Sequence, residues 1–299
     1  MKRIVLLAII VCVTFTACSS STGASDPNNG NGKPAGGKPW IWTGTPTPAQ
    51  ITTVSKHKVF LAHASVGENT LRGIMRSVPG VNAVQNYTWH SSATIQSAIS
   101  NSSIVGYEMG PHNGNPADKI TEFRNTMNTV VQNRVNIAFM KFCPLDIQGN
   151  NSGPSINGYA NEAALFNAYK AMISELESTY PNILFVHATL PLYTTNAHYS
   201  NIRREIYNDL IREAYGELVF DIAAIEALHS DGKTIERDAN GARALAQEWG
   251  RPGSVSPDGY FYGNYDPAST DYNHLNTEGQ NRMGRSLVAF LAWVAEEYL

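Results

Sequence analysis

The pentapeptide His63-Ala64-Ser65-Val66-Gly67 follows an apolar run and places a hydroxyl where an extended segment turns into one of helical period. Gly67 relieves crowding at such a turn, and the N-terminus of the following helix favours developing negative charge. A serine hydroxyl is a weak nucleophile near neutral pH unless a base takes its proton and a third group holds that base. Far along the chain, Asp271-Tyr272-Asn273-His274 sets a carboxylate three residues before an imidazole. With that spacing Asp271 can accept the Nδ1 proton and leave Nε2 facing a hydroxyl. Together the two segments spell acyl transfer through a Ser-His-Asp relay. Taken singly, each also fits a plainer role: Ser65 as a helix cap, Asp271 and His274 as parts of a surface turn.

Residues so far apart in sequence meet only if the elements between them fold into one layered body. Strands are expected over 58–62, 136–142, 183–190 and 218–221. Helices are expected over 66–78, 117–133, 160–179, 200–215 and 277–298, the last with Asn276 as its N-cap. Short apolar runs alternating with longer segments of helical period predict an α/β fold, a three-layer α/β/α sandwich around a mainly parallel sheet. In open sheets of this kind reactive groups gather beyond the carboxyl ends of the strands, which is where Ser65 stands. With no second linker and no internal repeat, one domain is expected over 51–299.

A serine after the first strand and an Asp-x-x-His just before the last helix make the chain similar to the SGNH hydrolase superfamily, the GDSL-like esterases and lipases. The branch it resembles has a first block reading H-x-S-V-G in place of G-D-S, matched by His63, Ser65, Val66 and Gly67. Further similarity lies in Gly114-Asn115-Pro116, in Met140 to Cys143 with Asp146, in His187 to Leu192, and in His274-Leu275-Asn276 with Gly279. The resemblance spans about Val59 to Leu299. It implies a flavodoxin-like fold, no cofactor, Ser65 as nucleophile, His274 as general base and acid, and Asp271 as the orienting carboxylate. It also implies an oxyanion hole formed by the serine amide, a glycine amide and an asparagine side chain. Ser65, Gly114 and Asn115 are the candidates here. The chain departs from the pattern at the third block, where Gly-x-Asn-Asp is replaced by Cys143-Pro144-Leu145-Asp146.

Several other groups are auxiliary candidates. His63, two residues before the serine, is placed to orient the nucleophile, to contact substrate, or to serve as a structural histidine. Lys141 offers positive charge from a strand end, or is a solvated cation there, and Asp146 is what survives of the third block. Cys143 reads as an inert buried thiol. The aromatic, glycine-rich run Asp258 to Tyr265 puts Tyr260, Tyr262 and Tyr265 upstream of His274, where their faces suit stacking on sugar rings or packing within the loop. Arg203, Arg204 and Asn208 read as surface or structural groups. His112, His187 and His198 lack the close spacing of metal ligands, so no metal is expected.

The amino end pairs Lys2 and Arg3 with an apolar run from Ile4 to Val13, and Phe15-Thr16-Ala17-Cys18 ends it as a small-residue cleavage site followed by cysteine. Residues 1–17 therefore read as an export signal peptide, too short in its apolar part for the roughly 20 residues of a spanning helix. Cys18 before Ser19 and Ser20 resembles a bacterial lipobox, so acylation of Cys18 and a lipid anchor in the cell envelope are expected. Residues 18–50, rich in Ser, Gly, Asn and Pro, read as a flexible tether, with Trp40 and Trp42 docking its end. The whole chain carries 22 basic and 25 acidic residues among 299, a net charge of −3. Loss of Lys2 and Arg3 with the leader takes this to −5, which disfavours nucleic acid as a partner. These features predict a cell-envelope serine esterase acting on ester or acylated carbohydrate substrates. An O-acyltransferase using the same triad, or a non-catalytic carbohydrate-binding lipoprotein, fits the same residues. The sequence leaves the oligomeric state open.

Overall fold

Val59 to His63 are apolar or uncharged without interruption, and such a run is stable only where both faces are covered. In the computed structural model, which describes residues 44–150, 153–193, 198–246 and 274–299, this run is the centre of the sheet. Strand β1 (Val59–His63) is buried along its whole length. It pairs in parallel with β3 (Ile104–Glu108) on one side and β4 (Ile137–Met140) on the other. Beyond β3 lies β2 (Ala83–Tyr87), and beyond β4 lies β7 (Leu184–Phe185), giving the parallel order β2-β3-β1-β4-β7. Two residues on from β7, β8 (His187–Ala188) pairs in parallel with β9 (Val219–Phe220). A small antiparallel hairpin joins β5 (Gln148–Asn150) to β6 (Gly153–Ser155). Without β2, the order β3-β1-β4-β7 follows the start of the flavodoxin-like winding, with the switch point at β1. The edge strand β2 is an addition to that pattern.

Helices cover both faces, so the architecture is a three-layer α/β/α sandwich. One face carries α1 (Pro48–Lys56), α2 (Val66–Ser77) and α8 (Thr277–Tyr298), packed over Val59, Leu61, Ile137 and Phe139. The other carries α3 (Ser92–Asn101), α4 (Pro116–Thr126), α5 (Glu162–Thr179) and α6 (His198–Tyr215), packed over Phe60, Ala62, Val105 and Ala138. A short α7 (Ile222–Glu226) follows β9. Alternate residues of β1 thus feed two separate cores, as the two-residue period of a strand requires. Among the described residues, no helix is long and apolar enough to cross a membrane.

The expected strands are found at the apolar runs, but 183–190 is divided at Val186: β7 pairs with β4 and β8 with β9. Helix α4 ends at Thr126, where the backbone widens into a π-turn and then a 3-10 turn to Arg134, rather than running evenly to 133. Helix α1 begins at Pro48, inside the stretch read as tether. Thr47 caps it through a reciprocal box with Gln50, and Pro48 fills the first helical position.

Helices α2 and α8 lie unusually close because glycines face each other across them. A Cβ on Gly73 would sit 1.8 Å from the Gln280 carbonyl oxygen, and one on Gly284 would sit 2.4 Å from the Ile74 nitrogen. The contacts run in step, Asn69 with Leu275 and Ser77 with Asn281, so the two helices run in the same sense and begin at the same end of the sheet. That end is the carboxyl end of β1. Two positive helix termini therefore converge where Ser65 and His274 stand.

Candidate active site

Ser65 leaves β1 with φ 57° and ψ −108°, a conformation that L-residues other than glycine rarely adopt. It occupies the N-cap position of α2, yet its side chain makes no capping hydrogen bond. The hydroxyl is turned instead to His274, with Ser65 Oγ and His274 Nε2 2.7 Å apart. Neither residue is fully buried. A serine in a strained turn, aimed at an imidazole nitrogen at hydrogen-bond length and open to solvent, is the geometry of a hydroxyl from which a base can take the proton.

No protein-family model and no curated protein sequence matches the chain. The solved structures it is similar to are distant in sequence. A chain provisionally described as a platelet activating factor from Streptococcus pneumonia is 14% identical, with a TM-score of 0.43 over 81% of this chain and 91% of that one. One provisionally described as a GDSL-like lipase from Parabacteroides merdae is 13% identical, with a TM-score of 0.43 over 80% and 96%. One described as a possible lipase from Chitinophaga pinensis is 12% identical, with a TM-score of 0.37 over 80% and 98%. The chemistry of this chain rests on its own side chains.

The loop bearing His274 is held by the helix that bears Ser65. Asn69, buried one turn into α2, accepts a hydrogen bond from the Leu275 amide at 3.1 Å. Asn276 then caps α8 by accepting from the Gly279 amide at 2.8 Å, as its position in the sequence predicts. Asn69 escapes a motif search; the signal was a polar residue on the core-facing side of an amphipathic helix. Asn69→Ala removes the acceptor for a buried amide and frees the loop, at about 1–3 kcal/mol of stability. On the esterase reading proposed below, ester turnover is expected to fall by roughly tenfold or more while KM changes less, because displacing the imidazole would cost catalysis before binding. Steady-state kinetics beside a thermal melt check this.

His63 is fully buried two residues before Ser65, clamped between two glycines. A Cβ on Gly67 would lie 2.3 Å from its Cβ, and one on Gly106 would lie 2.9 Å from its Nε2. The bare backbone of Gly106 lets Gln85 of β2 reach across β3, with Gln85 Oε1 3.0 Å from His63 Nε2. On the other side Glu108 Oε2 is 3.2 Å from His63 Nδ1, without the alignment of a hydrogen bond. His63 is thus a packed, internally partnered side chain, and the H-x-S-V-G spacing is explained by Gly67 making room for it.

The oxyanion candidates separate. The Gly114 amide donates to Asp146 Oδ1 at 2.9 Å, with Gly114 at φ +81°. Asn115 caps α4, its Oδ1 accepting from the Asp118 amide and its Nδ2 donating to Asp118 Oδ2 at 2.6 Å. The Gly114 amide is thus taken up by Asp146, whereas Asn115 Nδ2 spends one of its two hydrogens on Asp118. Among the described residues, the Ser65 and Val66 amides lie ahead of the first intrahelical bonds of α2 and are donors available at this end. Asp146 is a buried keystone: its carboxylate also accepts from the Cys143 amide at 2.6 Å and from Lys119 Nζ at 2.7 Å. It fastens the Gly114 loop to the end of β4 and does not touch Ser65 or His274.

Lys141 is not a solvated strand-end cation. It is fully buried, donates to the Phe142 carbonyl at 3.0 Å, and burial holds its ammonium down at about 8. Arg204 is also buried, lying 3.7 Å over the Tyr193 ring and donating through Nη2 to the Pro144 carbonyl at 2.7 Å. Asn208 brackets Leu190, accepting from its amide and donating to its carbonyl. His187 stacks on Tyr215 with centroids 3.4 Å apart, and burial lowers it to about 3. These groups fasten the strand-end loops around the site. Asp271, Tyr260, Tyr262, Tyr265 and Cys18 lie outside the described residues.

Glu226, unmarked by any motif, is fully buried at the end of α7, where it accepts from the Leu192 amide at 2.6 Å. Burial pushes its carboxyl up to about 8, against the pull of that amide and of Lys141. An unfolded chain releases this proton near pH 4.5 and the folded chain holds it to about pH 8. Between those values the folded state carries the extra proton, so stability falls as pH rises. Lys141 reverses the trend above about pH 8, since the folded chain loses its proton there and the unfolded chain only near 10.5. Glu226→Gln keeps an acceptor for Leu192 and cannot ionise. We expect it to flatten the descending limb and to gain on the order of 1–3 kcal/mol at pH 8 over pH 5 relative to wild type. Urea unfolding at the two pH values measures this; parallel slopes for both proteins would contradict it.

Proposed function

We propose that the chain is a serine esterase of the cell envelope, removing O-acyl groups, including those carried by glycans. The observation that carries this reading is the 2.7 Å approach of Ser65 Oγ to His274 Nε2 beside two converging helix termini. In the proposed cycle His274 Nε2 takes the hydroxyl proton as Ser65 Oγ attacks the ester carbonyl. The tetrahedral oxyanion forms against the Ser65 amide and the positive end of α2. Collapse breaks the bond to the alcohol, which leaves with the proton from His274. Water, deprotonated by the same imidazole, then releases the acid and restores the serine. Asp271 is assigned to hold the Nδ1 proton of His274, and Cys18 to carry the acyl anchor that keeps the enzyme at the membrane surface.

A serine-directed fluorophosphonate tests the reading. Labelling mapped to Ser65, blocked by a short activated ester, is the expected result; a reagent that leaves Ser65 untouched while the protein is folded would reject it. Whether the acyl-enzyme passes to water or to a sugar hydroxyl is read by following the released acid against acylated acceptor in the same assay.

A further inference from the structure

Beside the nucleophile's helix the edge strand β2 ends in an aromatic stack. Trp89 is 71% exposed, and its ring lies on that of Tyr87 with centroids 4.3 Å apart and planes at 7°. His90 meets Tyr87 edge-on at 5.4 Å, and its Nδ1 is 3.1 Å from Asn86 Oδ1. The His90 amide closes the turn onto the Tyr87 carbonyl at 2.9 Å. The indole is thus propped from behind with one face outward. A lone exposed tryptophan needs no explanation, but this one adjoins a cleft.

The cleft, about 350 Å³, lies between α2 and β2 and is lined by Glu68, Leu71, Arg72, Met75, Gln85 and Tyr87. The four helical residues are spaced three and four apart, so they form one stripe of α2 running away from Ser65. Arg72 holds Glu68 through Nη2 at 2.6 Å and Nε at 3.0 Å. The sheet register fixes the stack's distance from the nucleophile. Tyr87 pairs with Glu108 and Glu108 with His63, so Trp89 follows β2 by the same two residues as Ser65 follows β1. Two strand spacings, about 10 Å, separate the backbone of Tyr87 from that of His63, two residues before Ser65.

We propose that Trp89 and Tyr87 form a sugar-binding subsite that seats a pyranose ring of an acylated oligosaccharide while its ester lies at Ser65. The inference rests on the esterase reading of Ser65 and His274. A pyranose offers a flat face of C–H groups to the electron-rich indole and a rim of hydroxyls to Gln85, Glu68 and Arg72. A fatty acyl chain would cover the Glu68–Arg72 pair and Gln85 without hydrogen-bonding to them. A nucleobase would stack as well, but the net charge of −3 repels its phosphates.

The test uses chemically O-acetylated cellohexaose and N-acetylchitohexaose beside p-nitrophenyl acetate and p-nitrophenyl palmitate, with wild type, Trp89→Ala and Trp89→Phe. Trp89→Ala is expected to raise KM for an acetylated hexasaccharide roughly tenfold and to leave p-nitrophenyl acetate hydrolysis unchanged, with Trp89→Phe between. Calorimetry of the same sugars on Ser65→Ala, with and without Trp89→Ala, reads binding without turnover and should show the same loss. Should wild type hydrolyse no ester, the esterase reading fails alone, and the calorimetric loss still supports the subsite. Equal effects of Trp89→Ala on both substrate types, no effect on either sugar, or a loss confined to long-chain acyl esters would overturn it.

Discussion

Ser65→Ala is expected to lower kcat/KM for a short activated ester by at least about 10³, the scale on which serine hydrolases lose turnover with their nucleophile. Ser65→Gly should lose as much, and the two variants should differ in stability. At φ 57° and ψ −108° the backbone at this position is strained for any residue with a Cβ. Such strain costs about 1–3 kcal/mol, and relieving it with glycine outweighs the roughly 0.4–1 kcal/mol that glycine adds to the entropy of the unfolded chain. Ser65→Gly should therefore melt higher than both wild type and Ser65→Ala, with stability gained at the position where activity is lost. A glycine variant that melts lower than the alanine variant would show that the turn is held without strain. Full turnover in either variant would show that Ser65 is not the nucleophile.

The second large effect is expected at the glycine contact between α2 and α8. A Cβ at Gly73 meets the Gln280 carbonyl at 1.8 Å and one at Gly284 meets the Ile74 nitrogen at 2.4 Å, both backbone atoms that cannot swing aside. Gly73→Ala and Gly284→Ala must push the helices apart, at a cost of about 2–4 kcal/mol in stability. Since Ser65 caps one helix and His274 precedes the other, the push also opens their 2.7 Å contact. A shift of about 1 Å there costs on the order of 10²-fold in turnover. Assays well below the melting temperature separate the two consequences. Variants that are destabilised yet fully active would show that the loop at His274 adjusts independently of α8.

The approach of Ser65 to His274 was legible because the signals around each are local: a glycine two residues after Ser65, an apolar strand before it, and a capping asparagine two residues after His274. β1 and β4 announced themselves as apolar runs buried on both faces. β2 and β3 did not. Gln85 and Asn86 interrupt β2, and Gly106 interrupts β3, for reasons that exist only across the sheet, where Gln85 reaches His63 over the bare backbone of Gly106. Asn115 carried its own signal, since an asparagine before a proline is an ordinary helix start, and α4 begins there. Lys141 and Glu226 were beyond reach of the sequence, because a charged residue gives no sign of its own burial until the loops that enclose it are in place.

The serine and the imidazole are separated by 209 positions, and the imidazole sits immediately ahead of α8. A chain whose synthesis has not yet reached residue 274 therefore holds Ser65 without its imidazole partner. On the proposed reading the hydroxyl gains its base only at the end, when α8 settles along α2.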